Sequence, residues 1–139
     1  MSIQFALAPL FFQVLLVFLL ALWMGQQRQT AVRRGVVHPR DIALRQPNWP
    51  TKATQIANCF SNQFEIPVLF YVVTILALIT KQADLLFVAL SWIFVALRYV
   101  HAFIHTTSNR VTYRGLVYGL GVVVLLALWV ELAIKVFLT

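Results

Sequence analysis

The fold is decided by residues 3–24, IQFALAPLFFQVLLVFLLALWM, a run that contains no charged side chain. A helix of about 20 apolar residues is long enough to cross the hydrocarbon core of a bilayer. The 139-residue chain is 61% hydrophobic and 11% charged, whereas soluble domains are about 45–50% apolar and about 25% charged. Because a chain this short leaves much of its surface exposed, these side chains must face lipid. The sequence therefore predicts an integral membrane protein and excludes a soluble enzyme fold, a disulfide scaffold and a disordered chain.

Three further apolar segments follow a basic, proline-containing segment. We expect a first helix at 3–24, a basic loop at 25–52, and further helices at 53–80, 84–109 and 112–138. Prolines in the loop prevent it from forming one continuous helix. The predicted fold is all-α, an integral membrane four-helix bundle that forms a single domain over the whole chain.

The basic residues indicate how this bundle lies in the membrane. Nine of the eleven Lys and Arg residues lie on the side that carries the basic loop. Positive residues favour the cytoplasmic side, so we expect a cytoplasmic loop and both termini on the non-cytoplasmic side. The net charge of +7 therefore indicates membrane orientation, and we expect no nucleic-acid partner, because the basic residues flank apolar runs.

The second and third predicted helices carry the unusual polar side chains. They recur every three or four residues, which places them on one face of each helix: Gln55, Asn58, Asn62 and Glu65, then Arg98, His101 and His105. Glu65 and Arg98 lie at similar depths when counted from the turn between their helices. Since ionisable residues inside a membrane normally face a bundle interior or a wet cavity, the pattern predicts a Glu65–Arg98 ion pair in a functional site.

Several interpretations of this polar face remain open. Gln55 and Asn58 are also typical of residues that hydrogen-bond neighbouring membrane helices. His101 and His105 have metal-ligand spacing but no third ligand at a clear spacing apart from Glu65, so we predict no metal site. Glu65 also suits a small proton-coupled transporter. The basic loop suits a non-catalytic membrane protein that binds anionic lipid or a partner.

Two segments carry a resemblance to a known family. They are NQFEIPVLF at 62–70 and RYVH at 98–101, the latter followed by Arg110. Together with four spans and a long basic first loop, they resemble MAPEG proteins, the membrane-associated proteins in eicosanoid and glutathione metabolism. The resemblance covers essentially the whole chain and is strongest to small bacterial members without an assigned activity. It implies a bacterial inner-membrane location.

The resemblance also implies an assembly and a chemistry. MAPEG proteins are homotrimers that hold glutathione at subunit interfaces. The residues implied to bind glutathione here are Asn62, Glu65, Arg98, Tyr99 and His101. Arg110 is the implied catalytic residue, because a nearby guanidinium lowers the pKa of a thiol and so favours the thiolate. The implied function is a glutathione-dependent transferase or peroxidase, or a diverged relative with the same pocket, acting on a hydrophobic electrophile or lipid hydroperoxide.

The sequence departs from the glutathione-binding members at three positions. An arginine often precedes the motif asparagine by four residues, and this chain has Asn58 there. A tyrosine often follows the motif glutamate, and this chain has Ile66. Phe103 replaces a second tyrosine of the third helix. Each lost polar contact would cost about 1–3 kcal/mol of binding free energy if nothing replaced it.

Overall fold

The computed structural model describes residues 1–139 and is entirely helical. Its helices are α1 (Ile3–Arg33), α2 (Thr51–Asn62), α3 (Ile66–Ile79), α4 (Leu85–Thr106) and α5 (Val111–Phe137), with a short 3₁₀ turn at Pro39–Asp41. Four spans are long and apolar enough to cross a membrane: Ile3–Arg33, Thr51–Ile79, Leu85–Thr106 and Val111–Phe137. The predicted all-α, four-span membrane architecture is confirmed.

The first helix is longer than the sequence pattern predicted. It continues nine residues beyond Met24, to Arg33, so the predicted basic loop at 25–52 begins inside a helix. Residues 25–33 contain no proline, and charged and polar side chains do not by themselves break a helix. The chain turns only at Gly35, whose φ of +70° is a conformation that glycine adopts without steric cost.

The second span is divided where its proline falls. α2 ends at Asn62, and α3 begins at Ile66 with Pro67 in its first turn. Between them the amides of Gln63, Phe64 and Glu65 each bond to the carbonyl three residues earlier, which is the tighter 3₁₀ pattern. Proline lacks the amide hydrogen that a continuous helix needs, so Pro67 predicts a distortion of the second span, and the structure has a short break there. This break turns Glu65 outward, beside the polar face.

Two apolar clusters hold the helices together. The larger one joins α3, α4 and α5 through Phe70, Val73, Ala77, Phe87, Phe94, Val95, Leu125, Leu128 and Leu132. The smaller one joins α1, α2 and α4 through Leu16, Leu20, Cys59 and Ala102. Many other large apolar side chains are exposed along all four spans, as expected for helices that face lipid. The clusters leave the polar faces of α2 and α4 together at the loop side of the bundle.

A charged network closes the opposite end of the bundle. Asp84 begins α4, where its carboxylate accepts a hydrogen bond from the Phe87 amide at 3.0 Å. Lys135 of α5 lies 2.6 Å from the Asp84 carboxylate and also contacts Glu131. Hydrogen bonding to Lys135, and then to the Phe87 amide, lowers the pKa of Asp84 below its ordinary value. Lys135 therefore ties the α3–α4 turn to the end of α5.

Acid is expected to release this connection. Because the pKa of Asp84 is lower in the folded protein than in the unfolded chain, the ionised carboxylate stabilises the fold at neutral pH, and this contribution is lost as the pH falls through the folded-state pKa. Since Asp84 is half exposed, we expect its ion pair with Lys135 to contribute about 0–1 kcal/mol to the free energy of unfolding. Thermal unfolding in detergent should give a higher Tm for wild type than for Asp84→Asn at neutral pH, and equal Tm values for the two proteins in acid. A difference that does not change with pH would contradict the prediction.

Candidate functional site

A polar cavity of about 470 Å³ lies between α2, α4 and α5. Its wall is formed by Asn58, Ser61, Asn62, Glu65, His101, His105, Arg114, Gly115 and Tyr118. Small-molecule sites occupy about 300–1,000 Å³, so the cavity has the size of a ligand site. Polar side chains from three separate helices converge there, which is costly within a membrane unless they serve a site.

A chain of hydrogen bonds runs along one wall of the cavity. The Nη2 group of Arg98 donates to Oδ1 of Asn62. The Nδ2 group of Asn62 then donates to Oε2 of Glu65 at 3.0 Å. Asn62 is therefore fixed in one orientation, with its carbonyl toward the cation and its amide toward the carboxylate.

The predicted direct ion pair between Glu65 and Arg98 is wrong. The ion pairs of the structure are Arg40–Asp41, Asp84–Lys135 and Glu131–Lys135. The break in the second span explains the difference, because it leaves Glu65 exposed while Arg98 is buried. Glu65 thus presents an exposed carboxylate to the cavity.

Arg98 is a buried cation without a direct carboxylate partner. Only 1% of its surface is exposed, and its Nε and Nη1 groups have no hydrogen-bond partner. The Nδ1 atoms of His101 and His105 are also buried without partners. A buried charge is costly unless it is paired, so this side of the cavity favours an anionic group. The cavity therefore offers a carboxylate at one point and positive charge at another.

The polar network extends behind the cavity to α1. Gln63 accepts a hydrogen bond from Gln13 at 3.0 Å and a longer one, 3.4 Å, from Arg98. Its own amide donates to the Cys59 carbonyl at 3.0 Å. Gln13 and Gln63 are fully buried, so α1, α2 and α4 are held together by polar contacts directly behind the site. These contacts fix the position of Arg98.

Comparison with known proteins identifies the family. The model of the MAPEG family matches residues 6–134. The chain belongs to the MAPEG family. No curated protein and no solved structure matches the chain. The resemblance to the MAPEG family that the sequence indicated is confirmed. The motif at 62–70 contains Asn62 and Glu65, and both line the polar cavity.

The structure brings together some of the residues that the MAPEG resemblance implied and separates others. Asn62, Glu65 and His101 line the cavity, and Arg98 bonds to its wall. Tyr99 points toward α1 instead, where its hydroxyl donates to the Phe12 carbonyl at 2.6 Å. It therefore does not contribute to the cavity within one subunit.

Arg110, the implied catalytic residue, lies outside the cavity within one subunit. It is exposed at the start of α5, with its guanidinium carbon 5.9 Å from the centre of the Tyr113 ring. Its role therefore stays a prediction.

Two residues of α5 that the sequence analysis did not select belong to the cavity. Arg114 lines it and donates to Oδ1 of Asn109 at 2.6 Å. Tyr118 lies one turn further along, with its ring centre 5.9 Å from the guanidinium carbon of Arg98. Arg114 and Tyr118 are four residues apart and so lie on one face of α5, which is the signal that the sequence carries for this wall. Arg114 was missed because a basic residue near a helix end is also typical of membrane boundaries.

The remaining polar residues divide between structural and site positions. Gln55 donates to the carbonyls of His105 and Thr107, at 2.7 and 3.1 Å, and so joins α2 to the end of α4. Asn58 lines the cavity. His101 and His105 stack edge to face with 5.5 Å between ring centres. No group of three His, Cys, Asp or Glu side chains lies close enough to hold a metal ion.

Proposed function

We propose that this MAPEG protein is a glutathione-dependent membrane transferase or peroxidase that binds glutathione in the polar cavity. The observation that carries the proposal is the Arg98–Asn62–Glu65 chain of hydrogen bonds, which links an exposed carboxylate to a buried cation through one asparagine. Glutathione has a matching distribution of charge, with an ammonium group, two carboxylates and a thiol. Family membership supports the assignment, because MAPEG proteins are generally associated with glutathione.

Each end of the cavity suits one part of glutathione. Glu65 would accept hydrogen bonds from the ammonium group, and charge-assisted bonds of this kind are among the strongest in proteins. Arg114 and the field of Arg98 would hold a carboxylate, and Asn62 and His101 would supply further polar contacts. Arg114 and Tyr118 offer replacements for polar contacts that Asn58, Ile66 and Phe103 do not make.

The assembly that fits this role is the homotrimer typical of the family. In it, we propose that Arg110 and Tyr99 complete a site at a subunit interface. Arg110 would stabilise the thiolate, since a free thiol has a pKa of about 8.5 and a close guanidinium lowers it. In the transferase reaction the thiolate sulfur forms a bond to an electrophilic carbon, whose leaving group takes the electron pair of the broken bond.

An apolar groove supports a hydrophobic second substrate. It lies between α3 and α5, is lined by Ile66, Leu69, Val122, Leu125, Leu126 and Trp129, and has a volume of about 450 Å³. The groove begins at the residue after Glu65 and one helical turn beyond Tyr118 of the polar cavity. A membrane-dissolved electrophile or lipid hydroperoxide could therefore lie beside the thiol.

Glutathione binding to purified protein tests the proposal, and Glu65→Gln is the decisive variant. Hydrogen bonds to a charged group contribute about 1.5–3 kcal/mol, so we expect affinity to fall about ten- to a hundredfold. Glu131→Gln is the matched control, because it removes a carboxylate from the opposite end of the bundle and should leave affinity unchanged. Absence of binding to wild type at millimolar glutathione, or equal losses in both variants, would contradict the proposal.

A further inference from the structure

A second cavity, of about 450 Å³, lies on the loop side between α1, α2 and the segment that connects them. It is lined by Met24, Arg28, Ile42, Arg45, Gln46, Trp49, Phe60 and Ser61. The proposed function does not use this cavity. We refer to it as the loop cavity. Its wall combines two arginines with apolar side chains and contains no acidic residue.

The loop cavity lies at the depth of lipid phosphate groups. The uncharged run of α1 ends at Met24, and residues 3–24 cover about 33 Å at 1.5 Å per residue, which matches a hydrocarbon core of about 30 Å. Arg28 lies one turn beyond Met24, about 6 Å further along the helix. The head-group layer adds about 5–7 Å on each side of the core. Arg28 is therefore at the level of the phosphates.

The connecting segment folds back to hold the basic side chains in place. The guanidinium carbon of Arg28 lies 5.1 Å from the centre of the Trp49 ring, a cation–π distance. The Nε group of Arg28 is buried and has no hydrogen-bond partner. Arg28 is thus fixed against an aromatic face, and its guanidinium has no acidic partner in the protein. Guanidinium groups match phosphate oxygens well, because they present several donors in one plane.

The neighbouring loop residues add a second cation and a donor. Arg45 adopts a φ of 62°, the left-handed region that a non-glycine residue occupies at a cost. The Gln46 side-chain oxygen accepts the Leu44 amide at 2.8 Å, which leaves its NH₂ group as the donor to the cavity. The nearest acidic residue in the loop, Asp41, lies 4.0 Å from Arg40. The cavity therefore has an uncompensated positive charge.

The surroundings of the loop cavity suit acyl chains. Met24, Ile42 and Phe60 form its apolar part. One turn beyond Phe60, the ring of Phe64 packs edge to face on the Phe60 ring, with 5.2 Å between ring centres, and is 55% exposed. An occupant with a phosphate in the cavity could extend its chains past Phe60 and along Phe64.

We propose that the loop cavity binds the phosphate group of an anionic phospholipid, held by Arg28 and Arg45 and positioned by the Trp49 ring. A soluble organic phosphate shares the binding chemistry but lacks the acyl chains. The depth of Arg28 and the exposed Phe64 ring beside the cavity wall favour the lipid.

The test compares two double variants of equal charge. Arg28→Gln with Arg45→Gln changes the cavity, whereas Arg33→Gln with Arg34→Gln removes two exposed arginines that do not line it. Detergent-solubilised protein is titrated with phosphatidylglycerol, with phosphatidylcholine of the same chains, and with glycerol 3-phosphate. Lipid retention is read by native mass spectrometry, and thermal unfolding reports stabilisation. We expect wild type and the Arg33/Arg34 variant to prefer phosphatidylglycerol, and the Arg28/Arg45 variant to bind it at least tenfold more weakly.

Other outcomes would overturn the proposal. Equal losses in the two double variants would show diffuse attraction to a basic surface, and equal binding of the two lipids would show that charge is not recognised. Stabilisation by glycerol 3-phosphate to the same extent as by phosphatidylglycerol would assign the cavity to a soluble phosphate. If the Arg28/Arg45 variant does not fold, Trp49→Leu retains both charges. It should still weaken phosphatidylglycerol binding severalfold, and unchanged binding would overturn the proposal.

Lipid binding in the loop cavity can be tested independently of glutathione binding in the polar cavity. Ser61 lies on the rim of both cavities, so glutathione is included as a competitor. We expect glutathione not to displace phosphatidylglycerol, and displacement would assign both cavities to one ligand. Loss of glutathione binding in Glu65→Gln with intact lipid binding would leave the lipid site standing alone.

Discussion

Arg98→Met is expected to abolish useful glutathione binding while leaving the fold as stable as wild type or more stable. Arg98 is buried, with two of its nitrogen groups unpaired. Replacing a whole buried ion pair by apolar side chains is often neutral or stabilising, because the cost of burying the charges is removed. Arg98 has no carboxylate partner in the protein, so its replacement leaves no opposite charge buried and unpaired. Methionine has a flexible side chain that fills irregular space, so the apolar neighbours lose little packing. Stability and binding are expected to move in opposite directions.

The loss of binding has two physical causes. Removing the guanidinium removes the positive charge behind the cavity, and it also frees Asn62, whose orientation depends on Arg98. In the complex the cation of Arg98 would be paired with a carboxylate of glutathione, and truncating one partner of a buried charge pair across an interface costs about 2–5 kcal/mol of binding free energy. We therefore expect the dissociation constant for glutathione to rise at least about thirtyfold. Isothermal titration and thermal unfolding in detergent measure the two quantities separately.

A matched control separates the charge from the network. Gln13→Met opens the same buried network from the α1 side, because Gln13 bonds to Gln63, yet it removes no charge. It should leave glutathione affinity within about threefold of wild type, less than 1 kcal/mol. If Gln13→Met weakens binding as much as Arg98→Met, the network matters and the cation does not. Unchanged affinity in Arg98→Met would show that the cavity ligand does not depend on the buried charge.

The sequence was sufficient to predict the architecture because lipid leaves few alternatives. Every backbone polar group in a bilayer core must be satisfied within the chain, so a long uncharged run such as residues 3–24 is a helix. The end of α1 at Arg33 was not predicted, because polar residues that leave the membrane can still continue a helix. Pro67 marks the point of distortion, because it lacks the amide hydrogen that a continuous helix needs. Whether it would kink or interrupt the helix depended on packing that the sequence does not display.

The candidate site was predicted on two helices and missed on the third. Asn62 and Glu65 were found because polar residues in an apolar helix are conspicuous, and they line the cavity. The predicted pairing of Glu65 with Arg98 was wrong, since depth along two helices says nothing about how far a broken helix turns a side chain. Arg114 was missed because a basic residue near a helix end is typical of membrane boundaries. Only the arrangement of α5 against α2 and α4 shows that it faces the cavity.

Arg114→Ala and Arg110→Ala are expected to affect different steps. Arg114 lines the cavity and is held by Asn109, so we expect its loss to raise the dissociation constant for glutathione at least about tenfold, or 1.4 kcal/mol. Arg110 is exposed outside the cavity, so its loss should change that constant by less than about threefold, under 1 kcal/mol. If Arg110 meets the thiol at a subunit interface, its loss lowers the thiolate fraction. Removal of one preorganised group that stabilises developing charge typically lowers kcat by about 10²–10³-fold, and we expect a loss of that size in Arg110→Ala.

Ultraviolet absorbance of bound glutathione measures the thiolate without any assumption about the second substrate, and titration measures affinity in the same samples. The expected pattern is weak binding with a normal thiolate fraction at saturation for Arg114→Ala, and normal binding with a reduced thiolate fraction for Arg110→Ala. If only Arg114→Ala reduces the thiolate fraction, the catalytic role belongs to Arg114 and not to Arg110, the residue that the family resemblance implies. That result would also remove the need for a neighbouring subunit, because Arg114 and Glu65 line the same cavity within one chain.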